Sequence, residues 1–315
     1  MIKMGFIKAY IKSMRPYAFF ITGIAGLIGI LLFDTNLSIS WQILVLVILF
    51  SSYGVNQVIN DLLGTKEDKF NAPKRPSISG ELDFKKAIIT SFIIFIFGGV
   101  LTYILNPYAL IVYLIGYIAN ISYEYLKGIP FIGNLWFGFM ISLLPLYGAM
   151  VSSGLGLIEI LNNSDLVLMS LLVLFSASTL CYFTYFRDSY GDKKANKLTA
   201  IILLSPKAAK AIGFLKILIP YVLLLLFFNW LSFKANILFL FMITITFLFS
   251  LYGASLYFSK DYNKKKALEI TFESTVLFYV SLLGLINPYL ALILYIASFL
   301  LIKLIYSRMY KKELY

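Results

Sequence analysis

The chain has 315 residues, 60% of them hydrophobic and only 13% charged, with a formal net charge of +12. A water-soluble domain carries about a quarter charged residues, so there is too little polar surface here to cover a soluble particle of this size. The absence of His and the lone Cys181 exclude His-based triads, haem ligation by His, the usual zinc sites and any disulfide framework, leaving chemistry to carboxylates, amides, Tyr, Lys and Arg.

Ten apolar stretches of the roughly 17–25 residues that cross a hydrocarbon core are predicted as helices. They lie at 17–33, 41–62, 86–105, 108–124, 131–151, 166–186, 208–229, 235–258, 267–286 and 288–306. Basic residues fall on alternate sides of these spans. Lys3, Lys8, Lys12 and Arg15 precede the first; Lys66, Lys69, Lys74, Arg75, Lys85 and Lys86 follow the second. Lys127 follows the fourth, and Arg187, Lys193, Lys194, Lys197, Lys207 and Lys210 follow the sixth. Lys260, Lys264, Lys265 and Lys266 follow the eighth, and Arg308, Lys311 and Lys312 close the chain. The opposite loops, such as 34–40 and 152–165, carry no Lys or Arg, and only Lys234 breaks the pattern. The positive-inside rule then predicts a cell-membrane, multi-pass protein with both termini cytosolic. The charge orients the chain and implies no nucleic-acid partner.

The tenth span follows Asn287-Pro288, which reads either as a tight hairpin or as a kink in one long helix. The basic tail favours the hairpin. No Pro/Ser-rich linker or low-complexity block divides the sequence, so one domain over 1–315 is expected. Its class is all-α and polytopic, with nine to ten transmembrane helices.

Two long polar loops, 61–86 and 187–210, fall on the same side, each just where a span ends. The first carries Asn56, Asn60, Asp61, Gly64, Glu67 and Asp68; the second carries Arg187, Asp188, Gly191, Asp192, Lys193 and Lys194. Asp188 and Asp192 stand at i and i+4, so on a helix both carboxylates project from one face. Such carboxylates are hard donors of the kind Mg²⁺ prefers, and Mg²⁺ is commonly shared with substrate phosphates. Two clusters facing each other would hold a diphosphate through bridging Mg²⁺, with nearby Arg and Lys neutralising the leaving pyrophosphate. The competing reading is that acidic residues at a span's end only solvate a loop or pair with a neighbouring Lys.

The stretch Asn60-Asp61-x-x-Gly64-x-x-x-Asp68-x-x-Asn71-x-Pro73-x-Arg75-Pro76 resembles the first signature of the UbiA-type intramembrane prenyltransferases. Asp188-x-x-Gly191-Asp192-x-x-x-Asn196-x-x-Thr199 resembles their second, and Tyr123-x-x-x-Lys127-x-x-Pro130-x-x-Gly133-Asn134 a short loop between their fourth and fifth helices. The likeness runs in order from about residue 12 to 286. It implies a helical bundle around a central lipid-accessible cavity capped by cytosolic loops. It also implies an Mg²⁺-dependent transfer of a prenyl group from an isoprenoid diphosphate to an aromatic or lipid acceptor. By this resemblance Asp68, Asp188 and Asp192 match the Mg²⁺-binding aspartates, and Asn60 matches a polar residue near the metals with Asp61 beside it. Arg75, Tyr123 and Lys127 match positions that contact or cover the diphosphate, a role also expected of Arg187 and Lys193.

The sequence departs from the pattern at Gly64, where the family has an aspartate that would ordinarily be a metal ligand. That substitution keeps open a terpene cyclase that needs no acceptor, and a silent lipid binder or transporter on the same fold. Glu124 is expected to orient Lys127, to act as a base or simply to form an ion pair, and Glu269 and Glu273 to pair with the Lys264–Lys266 run. Among 28 Phe and 23 Tyr, rings such as Phe92, Phe95, Phe97, Tyr182, Phe183, Tyr185 and Phe186 are candidates to line a carbocation cavity, although most must face lipid or other helices.

Overall fold

The computed structural model describes residues 5–35, 37–259 and 263–313, with the side chains of 264, 265 and 309–313 excepted. Lys3 and Lys260 of the charge pattern therefore lie outside the described residues, as do the side chains of Lys264, Lys265, Lys311 and Lys312. Among the described residues, ten helices are long and apolar enough to cross a membrane. They are α1 (Phe6–Leu32), α2 (Ile39–Leu63), α3 (Phe84–Leu105), α4 (Ala109–Leu126), α5 (Ile132–Ser153), α6 (Ser164–Lys194), α7 (Pro206–Trp230), α8 (Ile237–Tyr257), α9 (Lys266–Ile286) and α10 (Pro288–Arg308).

Hydrophobicity does not distinguish these helices, because all of them must be apolar in lipid; small residues and local breaks do. The bundle's centre is built from α1, α5, α6 and α9, and α9 has 89% of its most apolar stretch buried against other helices. The contact of α1 with α5 is glycine-mediated. A Cβ on Gly29 would stand 1.8 Å from the Pro145 carbonyl oxygen, and one on Gly148 would stand 2.2 Å from the Gly26 carbonyl oxygen. Backbones approach this closely only where side chains are absent, as expected where helices associate by packing rather than by hydrophobic exclusion.

The first span begins earlier than the apolar run suggests, because Phe6–Met14 is helical as well. Between that segment and Phe19–Leu32, Arg15 adopts a left-handed backbone with φ 54°, followed by the 3-10 turn Pro16–Ala18. Pro16 disfavours the helical region for its predecessor, which accounts for the break at this residue. The break turns the Arg15 side chain toward α2.

The sixth span also exceeds its apolar run. As a continuous helix of 31 residues it extends about 45 Å, well beyond a hydrocarbon core of about 30 Å. Its last turns, carrying Asp188 and Asp192, project past the apolar zone.

The Asn287-Pro288 junction is a hairpin. The Asn287 side chain accepts from the Leu290 amide at 3.1 Å and caps α10. Phe272 near the start of α9 and Tyr306 near the end of α10 both pack on Tyr17, with centroids 5.6 and 5.0 Å away. The two helices thus run antiparallel.

Candidate active site

The first acidic cluster is shaped by Gly64. Helix α2 stops at Leu63, Gly64 takes φ −86° and ψ 26°, and the chain re-enters a short helix, Thr65–Asn71. This offset carries Glu67 and Asp68 inward, and both are buried. Asn71, at the end of the short helix, then clasps α6. Its Nδ2 donates to the Asp188 carbonyl at 2.9 Å, and its Oδ1 accepts from the Gly191 amide at 2.8 Å. The clasp spans about 120 positions of sequence and places the two acidic clusters against each other. Replacing Asn71 with Ala removes two largely buried hydrogen bonds. It should cost about 1–3 kcal/mol of stability and lower turnover, checked by thermal unfolding in detergent beside an activity assay.

The clusters line one open cavity of about 130 Å³. Asn60, Asp61, Asp68, Arg75, Tyr123, Lys127, Arg187, Asp188 and Asp192 all face it. Lys193 does not: it is exposed on the outer face of α6, and the lysine of this loop that reaches the cavity is Lys197. The sequence pattern overlooked Lys197 because only its spatial position, brought in by the turn at Asn196 with φ 59°, distinguishes it from its neighbours.

Arginines hold most of the aspartates. Asp61 accepts from Arg15 at 2.6 Å and from Gln57 at 2.9 Å, and Arg75 lies 3.5 Å away. Arg75 also donates to Asp68. Burial pushes the Asp68 carboxyl above the usual aspartate range, against the opposing pull of Arg75. Asp188 is held by Arg187, with Nε and Nη2 each 2.6 Å from a carboxylate oxygen. Asp192, only 5% exposed, makes no side-chain hydrogen bond or ion pair among the described residues.

A second group forms a closed ring. Lys127 Nζ lies 2.6 Å from both Glu67 Oε1 and Glu124 Oε2, while Lys197 Nζ donates to Glu67 and to Glu124, the latter at 2.6 Å. Glu124 is therefore an ion-pair partner of Lys127, one of the roles expected for it. Burial would raise the Glu67 carboxyl, but Lys127 and Lys197 hold it below its ordinary value. Burial likewise works against the Lys127 ammonium, and Glu124 and Glu67 more than reverse it, raising that group above the usual lysine value.

Among the described residues, no three acidic or thiol groups converge closely enough to hold a metal ion by themselves. The donor set nevertheless suits Mg²⁺, which takes one or two carboxylates and completes its shell with water and substrate phosphates. Asp192 offers an unpaired carboxylate, and the Asn60 Oδ1 in the same wall is buried without a hydrogen-bond partner.

Deeper in the cavity the lining becomes aromatic, through Tyr17, Tyr53, Phe137, Tyr185 and Phe272. Tyr123 and Phe137 sit 5.8 Å apart, and the Tyr123 hydroxyl lies 3.3 Å from Cys181 Sγ. Of the rings selected from sequence, only Tyr185 lines this cavity. Phe92 and Phe97 face outward, Phe95 stacks on Tyr113, and Tyr182, Phe183 and Phe186 pack together toward Tyr257. Glu273 is buried in α9, with its Oε1 lacking a hydrogen-bond partner, outside the cavity.

A family model described as the UbiA prenyltransferase family matches residues 19–275. The digeranylgeranylglyceryl phosphate synthase of Methanococcoides burtonii is 30% identical over 68% of this chain and 80% of its own length. A solved structure of a digeranylgeranylglyceryl phosphate synthase superposes with a TM-score of 0.61 at 26% identity, covering 89% of this chain and 97% of the other. A UbiA homologue from Archaeoglobus fulgidus, bound to DMAPP and Mg²⁺, has a TM-score of 0.65 at 17% identity over 88% and 99% of the two chains, a likeness of fold alone. Ten membrane-length helices, two facing acidic clusters and a family match over most of the sequence lead to one assignment: the chain is a multi-pass membrane protein that belongs to the UbiA prenyltransferase family.

Proposed function

We propose that this prenyltransferase moves an allylic prenyl group from its diphosphate to the hydroxyl of a prenylated glyceryl phosphate lipid, with Mg²⁺ as cofactor. The observation that carries the reading is the single cavity in which Asp68, Asp188 and Asp192 face Arg75, Lys127 and Arg187, above an aromatic chamber. The acceptor class rests on the relatives, which are digeranylgeranylglyceryl phosphate synthases.

Asp68, Asp188 and Asp192 would hold Mg²⁺, which when bound neutralises charge on the departing pyrophosphate. Arg75, Lys127 and Arg187 donate to the phosphate oxygens, with contacts that strengthen as negative charge builds there. The C1–O bond of the donor breaks with its electron pair leaving on pyrophosphate. Tyr53, Phe137 and Phe272 line the cavity where the allylic cation would form, and their rings would stabilise it. The acceptor oxygen forms the new bond to C1, and its proton passes to water. The basic loops support a cytosolic side for this cavity and for both termini.

Purified protein in detergent, given geranylgeranyl diphosphate and Mg²⁺, should release pyrophosphate only when the glyceryl phosphate lipid is added. Chelating the metal with EDTA should abolish release, and restoring Mg²⁺ should recover it. Release without acceptor, accompanied by a cyclic hydrocarbon or alcohol, would instead identify a cyclase. Transfer to an aromatic acceptor in place of the lipid would overturn the acceptor assignment.

A further inference from the structure

The six carboxylates facing the cavity differ in what already holds them. Asp61, Asp68 and Asp188 are paired with arginines, and Asp192 is unpaired although 95% buried. Glu67 and Glu124, on the Gly64 side, are both bridged by the same two ammonium groups. A divalent ion entering on that side would have to displace two lysines from two buried glutamates. An ion entering at Asp192 displaces nothing.

Gly64 belongs to the same arrangement. A Cβ on it would lie 3.2 Å from Lys127 Nζ and 3.2 Å from Glu67 Oε1, so the ring fills the space in front of residue 64.

We infer that this chain binds its prenyl diphosphate with one divalent cation, on the Asp68–Asp188–Asp192 side, and that Lys127 and Lys197 hold the place of a second cation on the Gly64 side. The inference rests on the prenyl diphosphate reading of the cavity. Lysine serves well as such a substitute: it is a compact point charge with three donors that phosphate oxygens accept. When the diphosphate arrives, each ammonium group, with three donors, adds a phosphate oxygen to the glutamate oxygens it already holds.

The test uses the full-length protein in detergent, Mn²⁺ as a paramagnetic probe, and geranylgeranyl thiolodiphosphate as a slowly reacting donor analogue. With the analogue saturating, one Mn²⁺ should be bound per chain by electron paramagnetic resonance titration. The logarithm of the analogue's affinity should rise with log[Mn²⁺] with a slope of one. Two bound ions, or a slope of two, would overturn the inference while leaving the prenyl diphosphate reading intact. So would a slope of zero. No binding of the analogue at any Mn²⁺ concentration would remove both. The lysine half has its own readout: Lys197→Met should weaken the analogue about tenfold with the ion count still at one. Unchanged affinity in a folded variant would contradict it.

Discussion

Asp192→Asn lowers prenyl transfer by about 10²–10³-fold while leaving the thermal midpoint in detergent essentially unchanged. Asp192 is buried and has no ion-pair partner among the described residues. Its removal leaves no orphaned charge, and the usual penalty for breaking a buried pair does not arise. What it removes is the proposed metal ligand that, among the described residues, no Lys or Arg already holds, an interaction of the electrostatic kind whose loss typically costs about 10²–10³ in rate. Asp188→Asn makes an informative contrast, because it also strips Arg187 of a two-point partner. That variant should lose both activity and stability. Parallel turnover and unfolding measurements on the two variants separate the roles, and full activity in both would remove the aspartates from the metal site.

The second large effect is on stability. Lys127→Met leaves two buried glutamates sharing Lys197 alone, and breaking a buried pair on one side costs about 3–5 kcal/mol. Activity should fall as well, because a phosphate donor is lost. Combining Lys127→Met with Glu67→Gln restores the ring's charge balance. The double variant should regain most of the lost stability in a denaturation assay while staying poorly active. If it is as unstable as the single variant, the ring is not the unit described here.

Much of this arrangement was legible in the sequence. The ten spans appear as apolar runs because membrane crossing requires them, and the i,i+4 spacing of Asp188 and Asp192 needs only a helix to become a shared face. That the two long polar loops share one side follows from counting spans. The sequence was less informative wherever meaning depends on tertiary partners. Lys193 and Lys197 look alike in a basic loop, and only the turn at Asn196 sends the second into the cavity. Asn71 looks like one more polar loop residue, yet it joins the two motifs. The aromatic lining was misjudged for a related reason: in lipid, rings are as common on the outside as within. Nothing in the local sequence of Phe92 tells it from Phe272, although the first faces outward and the second lines the cavity. Gly64 was recognised as a departure, but its consequence depends on Lys127 and Glu67 lying within reach of it.

The most direct test of the account is product stoichiometry. Purified protein would be incubated with geranylgeranyl diphosphate, the glyceryl phosphate lipid and Mg²⁺, and pyrophosphate and prenylated lipid would be measured together by mass spectrometry and a coupled assay. The account predicts one pyrophosphate per prenylated lipid, with both lost in Asp192→Asn. Prenylated lipid formed at the wild-type rate by that variant, or pyrophosphate released with no lipid product, would contradict it.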